Sequence, residues 1–402
     1  MNSLLALVLF FAVVIFPATS RAASVDALYE NSNSPLISLI TQASSSIDIE
    51  IYTMKDLNVI SALKSAMSRG VQLRIVQTGL VIDPCHVFDA AKDTDDSTCT
   101  ALKSFVIYVN KHHGTYVPFD YELCGTPGKS CFEHGKMLIA DSKKVLLSTG
   151  NFDPTSLCDA SESPTTCNRD FSVVSTDSDV IQTLQTIFNH DVKGNAFDLS
   201  GVLAASAAKR VTVSPDSLRP LITLIQSAKK TIQIENQYLK DPDMNQALID
   251  AAKRGVQVFV MVESVSNFAK PTDTQAQAWT DTFTSFDKAG IHSKIFNGKI
   301  QINGIRGYMH AKVILIDSKT AWIGSVNGSA KSLTENREYG IISTDATLVR
   351  NLNKVIYSDF NDPNAETWKQ SLSGSKDFKG SNSTDKGDDS DNSCPRSALS
   401  AS

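Results

Sequence analysis

Two long stretches of this chain read alike at a constant offset, and that duplication constrains the fold more than any other feature. Pro35-Leu-Ile-Ser-Leu-Ile40 matches Pro220-Leu-Ile-Thr-Leu-Ile225, and Arg69-Gly-Val-Gln72 matches Arg254-Gly-Val-Gln257, both 185 residues apart. Each copy begins with a short apolar segment that alternates with polar residues (Ile47 to Ile51; Ile232 to Ile234), as a strand does. A helical pattern follows, with Leu57, Ile60, Leu63 and Met67 in one copy and Met244, Leu248 and Ala251 in the other. Arg-Gly then ends the helix and a second strand begins (Val71 to Val76; Val256 to Val262). That is a β-α-β unit, which requires parallel strands with helices packed on the sheet. The expected fold class is therefore α/β, with two tandem α/β/α halves, mixed sheets flanked by helices, related by a pseudo-twofold axis.

The later part of each copy repeats as well. Lys136-Met-Leu-Ile-Ala-Asp141 parallels Lys312-Val-Ile-Leu-Ile-Asp317, each followed by Ser-Lys and a second apolar run ending near Asn151 or Asn327. These segments read as hairpins turning at Asp-Ser-Lys. Asn168-Arg169-Asp170 answers Asn336-Arg337-Glu338, and the joint between copies falls near residues 195–215. A site shared between the halves is natural for such a pair.

Two His-x-Lys-x4-Asp motifs lie in register within the duplication: His134, Lys136, Asp141 and His310, Lys312, Asp317. Strand side chains two apart share a face, so each His and its Lys point the same way. Asp141 and Asp317 complete the motifs, but their odd spacing from Lys puts them at the turn, in a supporting role. From His134 to Asn151 is 17 residues, as it is from His310 to Asn327, and a hydroxyl precedes each Asn by two (Thr149; Ser325). The spacing from His to the acid of the next motif differs by eight, an insertion that contains Cys158 and Cys167. Two Lys and two Asn supply donors for phosphoryl oxygens and the charge that develops on them. A neutral imidazole can attack phosphorus, while the opposite His donates to the leaving oxygen and then activates water. No carboxylate cluster or His pair has metal-ligand spacing, so the expectation is a reaction without metal or cofactor.

The ends and the cysteines place the chain. Leu4 to Phe16 is an apolar run stopped by Pro17, with small residues at a cleavage position after Ala22. It is too short to span a bilayer, which takes about 20 apolar residues, and reads as a signal peptide over residues 1–22. The two repeats then occupy 23–205 and 206–373, and the polar stretch 374–402 reads as a disordered tail. A secreted or periplasmic location follows from the leader. Six of the seven cysteines fall into close pairs, Cys85 and Cys99, Cys124 and Cys131, Cys158 and Cys167, which reads as local disulfides rather than a zinc site. The net charge of −5, without basic runs, tilts against a sequence-blind nucleic-acid binder. His86, His112, His113, His190 and His292 have no match in the other copy and read as surface or structural. Trp279, Phe283 and Phe286 fall at helical spacing and read as core.

His134-Gly-Lys-Met-Leu-Ile-Ala-Asp141 and His310-Ala-Lys-Val-Ile-Leu-Ile-Asp317 resemble the motif of the phospholipase D superfamily, and the resemblance extends over most of residues 30–360. Gly324-Ser-Val-Asn327 is similar to the family's Gly-Ser-x-Asn; the first copy departs from it as Ser148-Thr-Gly-Asn151. The resemblance implies a metal-independent, two-step reaction through a phosphohistidine, with Asp170 and Glu338 holding the two His. It also implies His134 as attacker and His310 as acid/base, an order the symmetry of the sequence does not choose. Ile234-Glu-Asn-Gln-Tyr238 resembles a segment of phospholipase D enzymes proper. The expectation is a monomeric phospholipase D acting on phosphatidylcholine-like lipids at a membrane surface, with transfer to alcohols as a variant. A metal-independent nuclease is the alternative, and a non-catalytic secreted binding protein the second.

Overall fold

The structure is a computed structural model that describes residues 25–78, 85, 87–88, 96–119, 131–158, 164–265 and 271–375. The leader lies outside these, as do Cys124, His86 and most of the tail. In chain order the first half holds β1 (Asp26–Glu30), α1 (Ser34–Gln42), β2 (Ser46–Ile51), α2 (Leu57–Ser68), β3 (Gln72–Gln77), α3 (Ser97–Lys111), β4 (Thr115–Pro118), β5 (Lys136–Ala140), β6 (Lys144–Ser148), α4 (Pro154–Leu157), β7 (Thr166–Arg169), β8 (Phe171–Ser175), α5 (Ser178–Asp191) and α6 (Leu199–Ala205). The second holds β9 (Val211–Ser214), α7 (Leu218–Ser227), β10 (Thr231–Asn236), α8 (Pro242–Lys253), β11 (Gln257–Glu263), α9 (Asp273–Ala289), β12 (His292–Phe296), β13 (Gln301–Ile302), β14 (Ile305–Met309), β15 (Lys312–Ile316), β16 (Thr320–Gly324), α10 (Ala330–Thr334), β17 (Glu338–Ser343), α11 (Ala346–Phe360) and α12 (Trp368–Ser375).

Both halves build the same seven-stranded sheet. The orders are β1-β8-β6-β5-β2-β3-β4 and β9-β17-β16-β15-β10-β11-β12. The β-α-β units are parallel, Ile49 opposite Ile75 and Ile234 opposite Val260. Their helices start on matching caps: Asp56 accepts the Val59 N–H at 2.9 Å and Asp241 the Met244 N–H at 2.8 Å. They stop at Gly70 and Gly255, whose φ values of 90° and 88° are left-handed and suit glycine.

Burial explains why the motif strands are apolar throughout. In β5, Met137 and Ile139 enter a core between the two sheets, whereas Leu138 and Ala140 face the helices α1 to α3. In β15, Val313 and Leu315 face inward to that shared core, and Ile314 and Ile316 outward. A strand covered on both faces loses its alternation. Phe283 and Phe286 are core residues of α9, and Trp279 packs on Phe283 with ring centroids 4.6 Å apart. Helix α12 runs to Ser375, beyond the expected start of the tail, because Trp368 stacks on Phe283 and Ser371 bonds Ser264 at 2.9 Å.

Disulfides join Cys85 to Cys99 and Cys158 to Cys167, the latter across the eight-residue insertion. Cys131 is disulfide-bonded too, and its expected partner Cys124 lies outside the described residues. His112 bonds the Tyr108 carbonyl at 2.8 Å, His190 stacks on Phe197 and His292 on Phe259.

Asp141 and Asp317 lie at the turns, as their spacing implies, and this corrects their grouping with His and Lys as catalytic residues. Asp141 and Asp317 follow the ends of β5 and β15, about 16 Å along a five-residue strand from Lys136 and Lys312. Both adopt φ of 52° at the hairpin turn. Asp141 accepts the main-chain N–H groups of Ser44, Ser45 and Ser46, the closest at 2.8 Å, and Asp317 those of Lys229, Lys230 and Thr231. These bonds outweigh the little desolvation and hold both carboxyls below the usual range. They clamp the loop entering β2 or β10. Asp141→Ala should therefore cost about 1 kcal/mol of stability, as loss of a cap does, with kcat unchanged; urea denaturation beside a turnover assay checks both.

Candidate active site

The two halves meet along a seam that places the motif histidines. The main chain before His310 pairs in parallel with β7, Met309 opposite Arg169, and the His310 N–H reaches the Arg169 carbonyl. The seam is reciprocal: Glu133 bridges Arg337, and His134 donates to the Arg337 carbonyl at 2.9 Å. Each His is thus laid beside the acid of the opposite half. His134 Nδ1 lies 2.9 Å from Glu338 Oε2, and His310 Nδ1 lies 3.0 and 3.1 Å from the two oxygens of Asp170. All four residues are buried.

A carboxylate on Nδ1 fixes the ring and leaves Nε2 for chemistry. The acids are themselves held. Thr149 donates to Asp170 at 2.6 Å, and Ser332 and Asn336 donate to Glu338 Oε1. Ser325, the match of Thr149, instead receives the Tyr339 N–H at 3.1 Å. Burial pushes Asp170 up, but His310, Lys312 and the Thr149 bond outweigh it and hold the carboxyl below its ordinary value. Burial, with Lys312 and Lys136 nearby, lowers His310 against the pull of Asp170.

Lys136 and Lys312 are buried at the starts of β5 and β15, donating to the carbonyls of His134 and His310. Lys312 also crosses to the Thr149 carbonyl at 3.3 Å. Asn327 is fully buried with neither side-chain polar atom partnered, and Asn151 Oδ1 is likewise unpartnered. Such groups are costly to leave unmet, which fits them to a ligand. The shifted glycine of the first copy has a local cause: a Cβ on Gly150 would collide with the Asp170 carboxyl. Glu338 is one methylene longer, and Val326 fills the matching position. Among the described residues no group of His, Cys, Asp and Glu is arranged to hold a metal ion.

A buried layer behind each His was not anticipated. Arg337 forms a two-pronged pair with Asp191 (2.8 and 3.3 Å), and Arg169 with Asp359 (2.6 and 2.9 Å). Glu50 and Glu235 accompany them at matching strand positions. The repeat itself could have flagged these residues, since Asp191 and Asp359 stand 168 apart, as Arg169 and Arg337 do. The first cluster also holds Glu133 and Tyr339, whose hydroxyl bonds Glu50. Met309 and Phe171 stand in their places in the second. Burial, then the neighbouring Asp191 charge, pushes Glu50 up to about 8, and burial and Glu50 push Glu133 up as well.

The family profile described as "Cardiolipin synthase, PLD-like domain" matches residues 36–192 and 221–360, well over half of the chain. The chain belongs to the phospholipase D superfamily, whose members act on phosphodiesters. A cardiolipin synthase A from Buchnera aphidicola is 32% identical over 135 residues, 33% of this chain and 25% of that protein. Phospholipase D Z of Dictyostelium discoideum is 30% identical over 134 residues, 30% of this chain and 29% of that one. The matches thus span little more than a quarter of these relatives. The crystal structure of phosphatidylserine synthase from Haemophilus influenzae shares the fold, with a TM-score of 0.58 at 11% identity over 88% of this chain and 92% of that one.

Two outcomes test the buried layer. Arg337→Ala strands three acids and should cost about 3–5 kcal/mol in urea denaturation. Glu50 holds its proton more tightly folded than unfolded, so its contribution is complete below its ordinary 4.5 and is lost as pH rises to about 8. The urea midpoint should fall across that window, and Glu50→Gln should flatten the fall.

Proposed function

We propose that this protein cleaves phospholipid phosphodiesters in two steps through a phosphohistidine, passing the phosphatidyl group to water or to an alcohol. The observation that carries this reading is the exchanged tethering of the two imidazoles, each two residues before a buried lysine. His134 Nε2 attacks phosphorus; the new N–P bond forms as the P–O bond to the headgroup breaks, and protonated His310 gives its proton to the departing oxygen. His310 then takes a proton from the incoming water or alcohol, whose oxygen displaces the histidine. Lys136, Lys312, Asn151 and Asn327 donate to the non-bridging oxygens, where charge accumulates. Glu338 stabilises the positive charge that His134 acquires.

The phospholipid reading draws on the lipid-acting names of the relatives, the acidic net charge and the Ile234–Tyr238 segment. Export by the N-terminal leader and action as a monomer belong to the same proposal, the latter because both motifs lie in one chain. Purified protein without added metal, offered phosphatidylcholine and phosphatidylglycerol vesicles and DNA in parallel, tests it. Headgroup release without DNA cleavage is expected, with a phosphatidyl-alcohol when ethanol is present; DNA cleavage alone would overturn the reading. His134→Asn and His310→Asn should each lower turnover by roughly a thousandfold or more.

The pH profile tests the order of the two His. An acid must start protonated, and His310 sits below its ordinary 6.5. With His310 as acid, kcat/KM should fall as pH rises through a value under 6.5, and Asp170→Asn, which removes the group holding that proton, should move the fall lower. A rise through the same range would assign the attack to His310.

A further inference from the structure

The rims of the two half-sites differ in charge. Lys55 and Lys240 hold matching positions, and each donates its main-chain N–H to the loop that follows a site asparagine: Lys55 to Phe152 at 3.0 Å, Lys240 to Gly328 at 2.6 Å. In the first half the residue two beyond Asn151 is Asp153, which accepts the Lys55 N–H at 2.7 Å and lies in the field of its ammonium. In the second half that place is taken by Ser329, and the place of Thr155 is taken by Lys331. One rim therefore carries a lysine and an acid, the other two lysines.

Neither Lys240 nor Lys331 makes an ion pair among the described residues. Asp241, beside Lys240, is committed to capping α8. Each ammonium lies over an aromatic ring, Lys240 Nζ 4.3 Å from the Tyr238 centroid and Lys331 Nζ 4.8 Å from that of Phe132. Phe132 in turn meets the His134 ring edge-on at 6.0 Å, so Lys331 stands one ring away from a reacting imidazole. Lys240 bonds the Gly328 carbonyl, next to the unpartnered Asn327, and Lys331 follows three residues further along the same segment. Two cations carried by the segment after Asn327 and the loop bonded to it are favourable when an anion joins them.

We propose that Lys240 and Lys331 form an anion subsite on the second-half rim, which binds a second phosphate or carboxylate carried by the group esterified to the scissile phosphodiester. This rests on the phosphodiesterase reading above and sharpens it: the preferred headgroup, or the alcohol that accepts the phosphatidyl group, is itself anionic. The first rim, with Asp153 in place, offers no such preference, so a doubly charged substrate is seated in one orientation across an otherwise twofold site.

Direct binding tests the subsite apart from catalysis. The intact protein is titrated calorimetrically with glycerol 1,3-bisphosphate and with glycerol 3-phosphate. The bisphosphate should bind at least about fivefold more tightly, the size of one or two rim contacts. Ser329→Asp restores the acid of the first rim while keeping a residue able to cap α10, and Lys331→Thr restores its neutral residue. Each should cut the preference to about twofold or less and leave the monophosphate unaffected. Equal or absent binding of the two ligands by the unaltered protein, or a preference that survives both substitutions, would overturn the subsite. Dihexanoyl phosphatidylglycerol and its headgroup phosphate form the second arm. The phosphorylated lipid should show the lower KM, raised by Ser329→Asp with kcat unchanged. If neither lipid is cleaved while the bisphosphate preference holds and the variants abolish it, the phospholipid reading falls and the subsite stands. If both lipids are cleaved alike, the subsite falls.

Discussion

Each imidazole of this site is held by a carboxylate from the other half of the molecule, and most of the architecture serves that exchange. A side-chain bond from His134 to Glu338, or from His310 to Asp170, forms only if the two sheets meet in register. The seam supplies the register with main-chain bonds immediately beside the reacting groups. The buried arginines anchor the seam in turn, since Arg169 and Arg337 directly precede the two acids. Neither half contains a complete site.

The arrangement buries charge, which is tolerable only when the charge is met. Arg337 and Arg169 each have a two-oxygen partner, and excess acids such as Glu50 take up protons instead. Asn327 keeps a buried side-chain N–H group without a partner, which the oxygen of an incoming phosphoryl group would accept.

Much of this was legible in residue order because the molecule repeats. The offset of 185 located the β-α-β units, and the equal spacing from His to Asn marked Asn151 and Asn327 before any geometry was known. The pairing across halves was not legible: Asn168-Arg169-Asp170 lies nearer in sequence to His134, yet in space Asp170 serves His310. Sequence distance carries no information about which half a seam strand joins. The odd spacing of Asp141 and Asp317 from their Lys did mark them as turn residues, since a motif shared by two copies signals a common structural need as readily as a common chemical one. Here the need was a clamp on three main-chain N–H groups. The buried acids escaped notice because Asp191 and Asp359 end otherwise ordinary amphipathic helices, where a single acid reads as solvated.

Glu133 and Tyr339 stand behind His134, whereas Met309 and Phe171 occupy the corresponding places behind His310. In an assembly of two identical subunits every replacement would be made twice, and both imidazoles would keep the same proton affinity. Joining the copies in one polypeptide removes that obligation. A substitution can then be tried on one side alone, so that attacker and proton donor drift toward separate tasks while the cleft they share keeps its shape.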